Sequence, residues 1–266
     1  MGELANKVVW ITGASSGIGE AVAYALSKKK VRLILSARRT AELERVKNKC
    51  VELSGQSVYI LPVDLTETEL LPAITSDAIK CFGHIDILVN NGGISQRSLV
   101  HETSIEVYRR LMEVNFFGGI SLTKYLIPHF IERRQGHFVV ISSVTGKFGT
   151  PYRSGYAASK HALHGFYDAV RAEYFKDNII VTMICPGVVH TPISLSALRG
   201  DGTENNKMDT LQAKGMPVEE CATHIVRAIV QQKQEVYIGG KEVVLLYIKR
   251  FLPALFSKII RNVTVR

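Results

Sequence analysis

The sequence predicts an α/β fold built on a single, doubly wound parallel sheet of about seven strands, with helices on both faces. Two observations predict it. Short apolar runs rich in β-branched residues alternate with helical patterns along the chain, which is typical of right-handed βαβ units. The length of 266 residues, with 46% hydrophobic residues and no repetitive or linker-like stretch, fits one domain with a large core.

The first predicted strand, 8–12, runs directly into a glycine-rich turn that a helical pattern follows. The turn has the spacing Gly-x-x-x-Gly-x-Gly, at Gly13, Gly17 and Gly19. Gly13 permits a tight turn, Gly17 lets the backbone approach a pyrophosphate, and Gly19 allows the helix to pack closely on the strand. This order indicates a phosphate-binding loop, although a plain glycine-rich turn has the same pattern.

Two arginines follow the second predicted strand, 31–37. A dinucleotide-binding fold places an acidic residue here, roughly 20 residues beyond the glycines, to bind the ribose 2′-hydroxyl of the adenosine. Arg38 and Arg39 stand in that place instead. Because a guanidinium group suits a 2′-phosphate, we expect NADP(H) rather than NAD(H) as the cofactor. The alternative is a solvated charge pair that opens the next helix.

Five further strands are predicted, at 57–63, 85–89, 138–143, 179–185 and 235–239. Thr66 and Glu69 form a predicted capping box for the helix after the third strand. A long helical pattern from 105 to 134 contains Asn115 close to two glycines, which predicts a local break. Residues 188–216 are polar with weak periodicity, which is typical of a lid or a disordered loop.

Tyr156 and Lys160 share one face of a helix predicted from Tyr156 to about Lys176, because they are four positions apart. A free phenol has a pKa of about 10, and a nearby ammonium group lowers it. The pair is therefore a candidate proton donor with its activating cation. A partly buried tyrosine beside a solvated lysine is the structural alternative, because so short a motif also arises by chance.

Composition argues against several other functions. The formal net charge is +9, but five basic residues lie in the last eighteen, and basic residues are not grouped with aromatic ones, so we expect no nucleic-acid partner. The four cysteines form no Cys-x-x-Cys pair, which indicates free thiols and no metal site. His137, His161 and His164 lack metal-ligand company in the sequence, and each is predicted at a strand start or a helix surface.

Over nearly all of residues 5–240 the chain resembles the short-chain dehydrogenase/reductase family. The glycine-rich turn matches the family's cofactor loop, and Asn90-Asn91-Gly92-Gly93 matches a segment that usually reads Asn-Asn-Ala-Gly. Asp64 matches the residue that hydrogen-bonds the adenine, and Pro186-Gly187 with Thr191 matches the segment along the nicotinamide. The resemblance implies a Rossmann-type fold and a cofactor site formed by Gly13, Ser15, Ser16, Gly17, Ile18, Gly19, Arg38, Arg39, Asp64, Leu65, Asn91, Gly92, Tyr156, Lys160, Pro186, Gly187, Val189 and Thr191.

Asn115, Ser143, Tyr156 and Lys160 match the family's catalytic tetrad. Reduction of a carbonyl needs a hydride on carbon and a proton on oxygen. The resemblance implies that Ser143 hydrogen-bonds this oxygen, that Tyr156 supplies the proton, that Lys160 lowers the phenol pKa and binds the nicotinamide ribose, and that Asn115 holds a water molecule. We therefore expect an NADP(H)-dependent oxidoreductase. A non-catalytic NADP(H)-binding regulator or scaffold with the same fold is the alternative.

The sequence around Tyr156 is similar to the branch of the family that contains 11β-hydroxysteroid dehydrogenase type 1 and the member 7 dehydrogenase/reductases. This similarity implies a lipophilic carbonyl or alcohol as the substrate, and a homodimer or homotetramer. Members of the branch usually carry an amino-terminal membrane anchor, which the chain lacks, so we expect a cytoplasmic location. His190 and Arg153 lie near the expected substrate mouth and are weaker candidates for substrate contact.

We expect an NADP-binding catalytic domain at 1–246, with a substrate lid at 188–217, and a basic amphipathic tail at 247–266. In the tail, apolar pairs recur every four residues with lysine and arginine between them, and Pro253 interrupts the pattern. Such a stripe suits a membrane surface, a subunit interface or the substrate mouth. Weak peripheral contact with a membrane is therefore one of three interpretations.

Overall fold

The computed structural model of the protein describes residues 4–263, which contain one seven-stranded sheet with all neighbouring strands parallel. The predicted fold class is confirmed. The predicted strand ends lie within three residues of the observed ones, since backbone hydrogen bonds rather than side-chain pattern decide where a ladder stops. The strands β1 to β7 are Val8–Thr12, Arg32–Ser36, Val58–Ile60, Ile87–Asn90, Gly136–Ile141, Ile179–Pro186 and Glu235–Ile238.

The spatial order of the strands is β3-β2-β1-β4-β5-β6-β7. β1 lies between β2 and β4, so successive crossovers run in opposite directions on its two sides. At such a switch point the connections leave β1 and β4 on opposite faces, and a crevice opens beyond the carboxyl ends of these two strands. Ligands of open parallel sheets bind in this crevice.

The first strand shows why both faces of the sheet are covered. Adjacent residues of a strand point to opposite faces, so Val9 and Ile11 belong to one hydrophobic core and Val8 and Trp10 to the other. All four side chains are fully buried. A continuous apolar run of this kind is typical of a parallel strand with helices on both sides.

Ten α-helices accompany the sheet within residues 4–263. Helices α1, α2 and α8 contribute to the core on one face, and α3, α5 and α6 to the core on the other. The helices α1 to α10 are Gly17–Ser27, Thr40–Ser54, Leu71–Phe82, Ile105–Met112, Gly118–Arg133, Ser154–Glu173, Thr210–Ala213, Val218–Val230, Lys241–Phe251 and Pro253–Ile260.

The break predicted in the long helix is confirmed. Between α4 and α5 the residues Glu113–Phe117 form one turn of π-helix. Gly118 follows it and lies against Leu65, where a Cβ would come within 2.5 Å of the Leu65 carbonyl oxygen. The wide turn and this close approach direct Asn115 into the protein, where it is 3% exposed.

The capping box predicted at Thr66 and Glu69 is wrong. The Thr66 hydroxyl donates to Asp64 Oδ1 at 2.9 Å, and a short 3₁₀ helix, Thr68–Leu70, comes before α3. Leu70, the N-cap of α3, makes no side-chain cap bond. A nearby carboxylate thus binds the hydroxyl in a local turn, which is the usual competitor of helix capping for Thr.

Residues 188–216 are folded against the rest of the protein and do not form a disordered loop. They include α7 and a short 3₁₀ helix, Pro192–Ser194. The Leu198 amide donates to the Ser95 carbonyl at 2.8 Å, and the Met216 amide donates to the Val188 carbonyl at 2.9 Å. Backbone bonds therefore tie the middle of the segment to the body of the protein and its two ends to each other.

The predicted tail begins inside α9, which starts at Lys241. One face of α9 and α10 packs on its own chain: Leu246 contributes to a small core with Val144 and Phe148, and the Phe256 and Phe148 rings lie 5.5 Å apart. Residues 264–266 of the predicted tail lie outside the described residues. Within residues 4–263, every helix is too short or too polar to cross a membrane.

Asp86 joins the amino ends of β1 and β4 to the end of α5. Its carboxylate accepts the Val8 amide at 2.8 Å and Arg133 Nη2 at 3.0 Å, and Lys7 Nζ lies 3.6 Å away. Burial alone raises the pKa of Asp86. The bonds from Val8 and Arg133 and the charges of Lys7 and Arg133 outweigh it, so the pKa lies below its ordinary value. The folded protein therefore favours the ionised carboxylate.

We expect Asp86→Asn to destabilise the protein by about 2–4 kcal/mol at pH 7, because it leaves buried donors without their carboxylate. A lowered pKa adds stability above the unfolded-state value of about 4, and this stability is lost as pH falls through the folded-state pKa. The mutant deficit should therefore shrink toward acid pH. Urea unfolding between pH 7 and pH 3 measures it.

Asp77→Asn serves as the control, because Asp77 is exposed and its pair with Lys80 is worth well under about 1 kcal/mol. A deficit of the same size in both mutants, or one that is constant with pH, would contradict the role of Asp86.

Candidate active site

A cavity of about 1010 Å³ opens beyond the carboxyl ends of β1, β4, β5 and β6. It collects nearly all the residues predicted for the cofactor site and the catalytic tetrad. Gly19 and Asn115 are the two predicted residues that do not line it. The predicted residues on its wall are Gly13, Ser15, Ser16, Gly17, Ile18, Arg38, Arg39, Asp64, Leu65, Asn91, Gly92, Ser143, Tyr156, Lys160, Pro186, Gly187, Val189 and Thr191.

The glycine-rich turn forms one end of the cavity. Gly13 and Gly17 have φ values of +64° and +58°, a region that side chains disfavour. Helix α1 begins at Gly17, so its first amides and the positive end of its dipole lie at the cavity wall. This arrangement fits a phosphate group.

Strand β4 holds the turn in place from the neighbouring strand. Asn91 Nδ2 donates to the carbonyl oxygens of Thr12 and Gly13, at 3.0 and 3.1 Å. The Thr12 hydroxyl accepts the amides of Asn91 and Gly92, at 3.0 and 3.1 Å. Asn91 and Gly92 thus fix the shape of the turn as well as lining the cavity.

The two arginines after β2 have different surroundings. Arg39 Nη2 donates to Ser15 Oγ at 3.1 Å, which ties Arg39 to the glycine-rich turn. The Arg38 side chain is 61% exposed, and its Nη1 lies 4.0 Å from Asp64 Oδ2. Asp64 Oδ1 in turn accepts the amide and the hydroxyl of Thr66. The guanidinium of Arg38 is therefore free to bind an anion at this end of the cavity.

Ser143, Tyr156 and Lys160 meet at the opposite end. Ser143 follows β5, and its Oγ accepts the Thr145 hydroxyl at 2.9 Å and donates to the Pro186 carbonyl at 3.4 Å. Lys160 Nζ donates to the Ile141 carbonyl at 2.7 Å and lies 5.8 Å from the centre of the Tyr156 ring. The predicted shared helix face of Tyr156 and Lys160 is thus observed.

Burial dominates the protonation of this group. It raises the pKa of the Tyr156 phenol, while the charge of Arg153, a hydrogen bond with Ser143 and the charge of Arg97 act in the opposite direction. Burial also lowers the pKa of Lys160 to about 8. Both shifts follow from the cost of holding a charge away from water. The phenol therefore depends on nearby cations to ionise.

Asn115 connects the π turn to helix α6. Its Oδ1 accepts the Ile94 amide at 2.8 Å, and its Nδ2 donates to the Ile94 carbonyl and to Ser159 Oγ, both at 2.9 Å. Ser159 Oγ donates to the Tyr156 carbonyl at 2.8 Å. Asn115 therefore positions the backbone around Tyr156 from behind the cavity wall.

The sequence did not indicate that two arginines, Arg97 and Arg153, lie together beside Tyr156. Arg97 Nε donates to Asp209 Oδ2 at 2.8 Å, and Arg153 Nη2 donates to the same oxygen at 3.2 Å. Arg153 was a weaker candidate for substrate contact. Nothing in the sequence indicated that Arg97 and Asp209 meet, because they are 112 positions apart. His190, the other weaker candidate, is exposed and lies outside the cavity wall.

One of the three histidine predictions is wrong. His137 at the start of β5 and His161 on the surface of α6 are placed as predicted. His164 is buried, and burial lowers its pKa to about 4. Its imidazole, Cys185 Sγ and a Glu235 oxygen lie within 4.8 Å of one another, so His164 has neighbours that the sequence did not indicate.

The family model for short chain dehydrogenases matches residues 7–200. The chain belongs to this family. Dehydrogenase/reductase SDR family member 7 of Homo sapiens is 45% identical over 94% of the chain and 76% of that protein. The Drosophila melanogaster SDR family protein 7-like is 41% identical over 99% of the chain and 82% of that protein. The predicted resemblance to the member 7 group is confirmed, and the family is one of oxidoreductases.

Solved structures with the same fold include a short-chain dehydrogenase/reductase from Burkholderia phymatum in complex with NAD. It has a TM-score of 0.85 and 21% identity, and the match covers 96% of each chain. An alcohol dehydrogenase from Thermococcus sibiricus, complexed with 5-hydroxy-NADP, has a TM-score of 0.75 and 25% identity, covering 89% of this chain and 97% of that one. A nicotinamide dinucleotide thus fits the fold, and the choice between NAD and NADP rests on the chain's own residues.

We expect Gly19→Ala to weaken nicotinamide dinucleotide binding at least about tenfold and to destabilise the protein by about 1–3 kcal/mol. A Cβ on Gly19 would lie 2.3 Å from the Gly13 carbonyl oxygen and 2.5 Å from Asn91 Nδ2, so the turn must move. Fluorescence titration and urea unfolding measure the two effects.

Gly165→Ala on α6 is the matched control, because nothing lies within 4 Å of a Cβ there. It should leave binding unchanged and stabilise the helix by up to about 1 kcal/mol. Unaltered binding by Gly19→Ala would disprove the tight packing of helix on turn.

Proposed function

We propose that the protein transfers a hydride between NADP(H) and a lipophilic carbonyl or alcohol, with Tyr156 as the acid or base. One observation carries the proposal: Ser143, Tyr156 and Lys160 line the same continuous cavity as the glycine-rich turn. A dinucleotide that places its phosphates on the turn extends toward these three side chains. A regulator or scaffold without turnover has no need of a partly buried phenol beside a buried ammonium group.

The bound cofactor supplies or accepts the hydride, so the protein's own residues have to manage the oxygen and its proton. Ser143 Oγ is held by Thr145, and a hydrogen bond with Ser143 acts to lower the pKa of the Tyr156 phenol. In reduction, Tyr156 donates its proton to the carbonyl oxygen and becomes a phenolate. In oxidation, the phenolate removes the proton from the alcohol.

Lys160 has two functions in this proposal. Its ammonium group stabilises the phenolate by charge, and it binds the nicotinamide ribose through the donors that the Ile141 carbonyl leaves free. With a pKa of about 8, Lys160 can also exchange a proton near neutral pH. One lone pair of Asn115 Oδ1 remains for a water molecule that returns this proton to solvent.

The choice of NADP(H) rests on Arg38. Its guanidinium is exposed at the adenosine end of the cavity, where a 2′-phosphate would accept charge-assisted hydrogen bonds. The nearest acid, Asp64, is 4.0 Å away and engaged with Thr66, so it competes weakly. The position of Arg38 would favour NAD(H) only if an acidic side chain there pointed at the adenosine ribose.

A lipophilic substrate is supported by apolar side chains of the cavity wall, among them Ile94, Val189, Ile193, Leu195 and Leu198. We also propose a homodimer or homotetramer, and a cytoplasmic location with weak contact to membranes. The tail supports such contacts, since Tyr247, Phe251, Leu252 and Leu255 stay exposed on helices rich in lysine and arginine.

We expect Tyr156→Phe to lower kcat for NADPH-dependent reduction of lipophilic ketones and aldehydes about 100-fold or more, because the proton donor is gone. The unfolding midpoint should stay close to that of the wild type. Tyr125→Phe, a half-exposed tyrosine on α5 outside the cavity wall, is the control with the same chemical change. Equal rates for wild type and Tyr156→Phe would remove the catalytic assignment, and cofactor binding without any turnover would favour the regulator.

We expect Arg38→Asp to weaken NADPH binding about 10–100-fold, since it removes charge-assisted hydrogen bonds to the 2′-phosphate and adds a repulsive charge. NADH binding should change less than about threefold, because NADH lacks this phosphate. Titration calorimetry with both cofactors measures the ratio. Arg250→Asp makes the same charge change on the exposed tail and should leave the ratio unaltered. Parallel losses for NADPH and NADH would exclude Arg38 as the phosphate ligand.

A further inference from the structure

Two arginines and one aspartate meet at the cavity wall beside Tyr156. The side chains of Arg97 and Asp209 are each 4% exposed, and that of Arg153 is 16% exposed. Both arginines line the cavity, and Asp209 reaches them from the segment 188–216. Two cations therefore share one carboxylate in a place with little water, which leaves one positive charge unbalanced.

Arg97 is fully engaged by the protein. Its Nε and Nη2 both donate to Asp209 Oδ2, and its Nη1 donates to Ser95 Oγ and to the Gln96 carbonyl. This arrangement alone is enough to hold Asp209, and with it the segment 188–216, against the body of the protein. A second arginine on the same oxygen is redundant for that purpose.

Arg153 is the arginine with spare donors. Its one hydrogen bond to a described residue is the 3.2 Å bond to Asp209, and its buried Nε has no partner within residues 4–263. Burial and the charge of Arg97 lower its pKa to about 10. A largely buried guanidinium with unused donors is unfavourable unless an acceptor from the cavity reaches its outer nitrogens, of which Nη1 makes no hydrogen bond to a described residue.

The acids on the cavity wall do not supply this acceptor. Asp64, Glu113 and Glu204 line the cavity, but in the described part of the chain none of them forms an ion pair with Arg97 or Arg153. Arg153 is the residue before α6 and stands three positions ahead of Tyr156, on whose phenol its charge acts. A single ligand can therefore place an anionic group at Arg153 and a carbonyl group at Tyr156.

We propose that Arg153 binds an oxyanion, a carboxylate or a phosphate, carried by the substrate at a distance from its reacting carbonyl. The substrate class is then a carbonyl or alcohol that joins an apolar body to one anionic group. This proposal rests on the proposed reductase activity and narrows it. Arg97 and Asp209 are positioning residues, since they hold Arg153 in place.

The test compares substrates that share an aryl methyl ketone and differ in the charged or neutral group opposite it. 4-Acetylbenzoate and its methyl ester share one reacting ketone, and 4-acetylphenyl phosphate adds the phosphate arm. We expect the wild type to have a kcat/KM at least about tenfold higher for an anion than for the ester, with the better anion identifying the oxyanion. Arg153→Gln should abolish this ratio, and Arg153→Lys should retain part of it.

The ratio isolates binding of the anion, because any effect of Arg153 on the Tyr156 phenol changes all three substrates alike. Arg199→Gln, on the exposed surface of the segment 188–216, is the control and should keep the wild-type ratio. A wild-type preference for the ester, or the same ratio in wild type and Arg153→Gln, would overturn the proposal.

Failure of the anion site and failure of the reductase give different results. Reduction of the ester that depends on Tyr156 but not on Arg153 would support the reductase and refute the anion site. If none of the ketones is reduced, titration of benzoate and methyl benzoate into the NADP⁺ complex decides. Tighter binding of benzoate that Arg153→Gln removes would support the site, and equal binding would refute it.

Discussion

The link between the carboxyl ends of β1 and β4 is the constraint on which the rest of the site depends. The Asn91 amide and the Thr12 hydroxyl tie the glycine-rich turn to the neighbouring strand. Because β4 also pairs with β5, this link sets the distance between the turn and Ser143, which follows β5. The glycine-rich turn and Ser143, which lie at opposite ends of the cavity, are therefore attached to one sheet.

Desolvation sets the electrostatics at the end of the cavity that contains Ser143, Tyr156 and Lys160. Burial moves the pKa of Tyr156 up and that of Lys160 down, so each group resists the charged form that proton transfer needs. Positive charge, mainly from Arg153, and the Ser143 hydroxyl act to lower the pKa of Tyr156. In a site of this kind, one unbalanced guanidinium acts on the phenol and, under the proposed function, on the choice of substrate.

Local patterns predicted the fold well, and contacts between distant segments were missed. The glycines close to Asn115 indicated the helix break, because glycine lowers helix stability wherever it occurs. The capping box at Thr66 failed because Asp64 binds the same hydroxyl, and the surface position of His164 failed because β6 and β7 cover it. In each failure a tertiary neighbour outweighed a local preference.

The sequence by itself determined the order of strands and helices, the glycine-rich turn, and the candidate group of Ser143, Tyr156 and Lys160. These features depend on periodicity and on residues close together in the chain. Only the tertiary structure decided that Arg97, Arg153 and Asp209 meet beside the phenol, and that Arg39 binds the turn while Arg38 stays largely exposed. Pairing across long stretches of chain depends on how the layers pack, which no local pattern records.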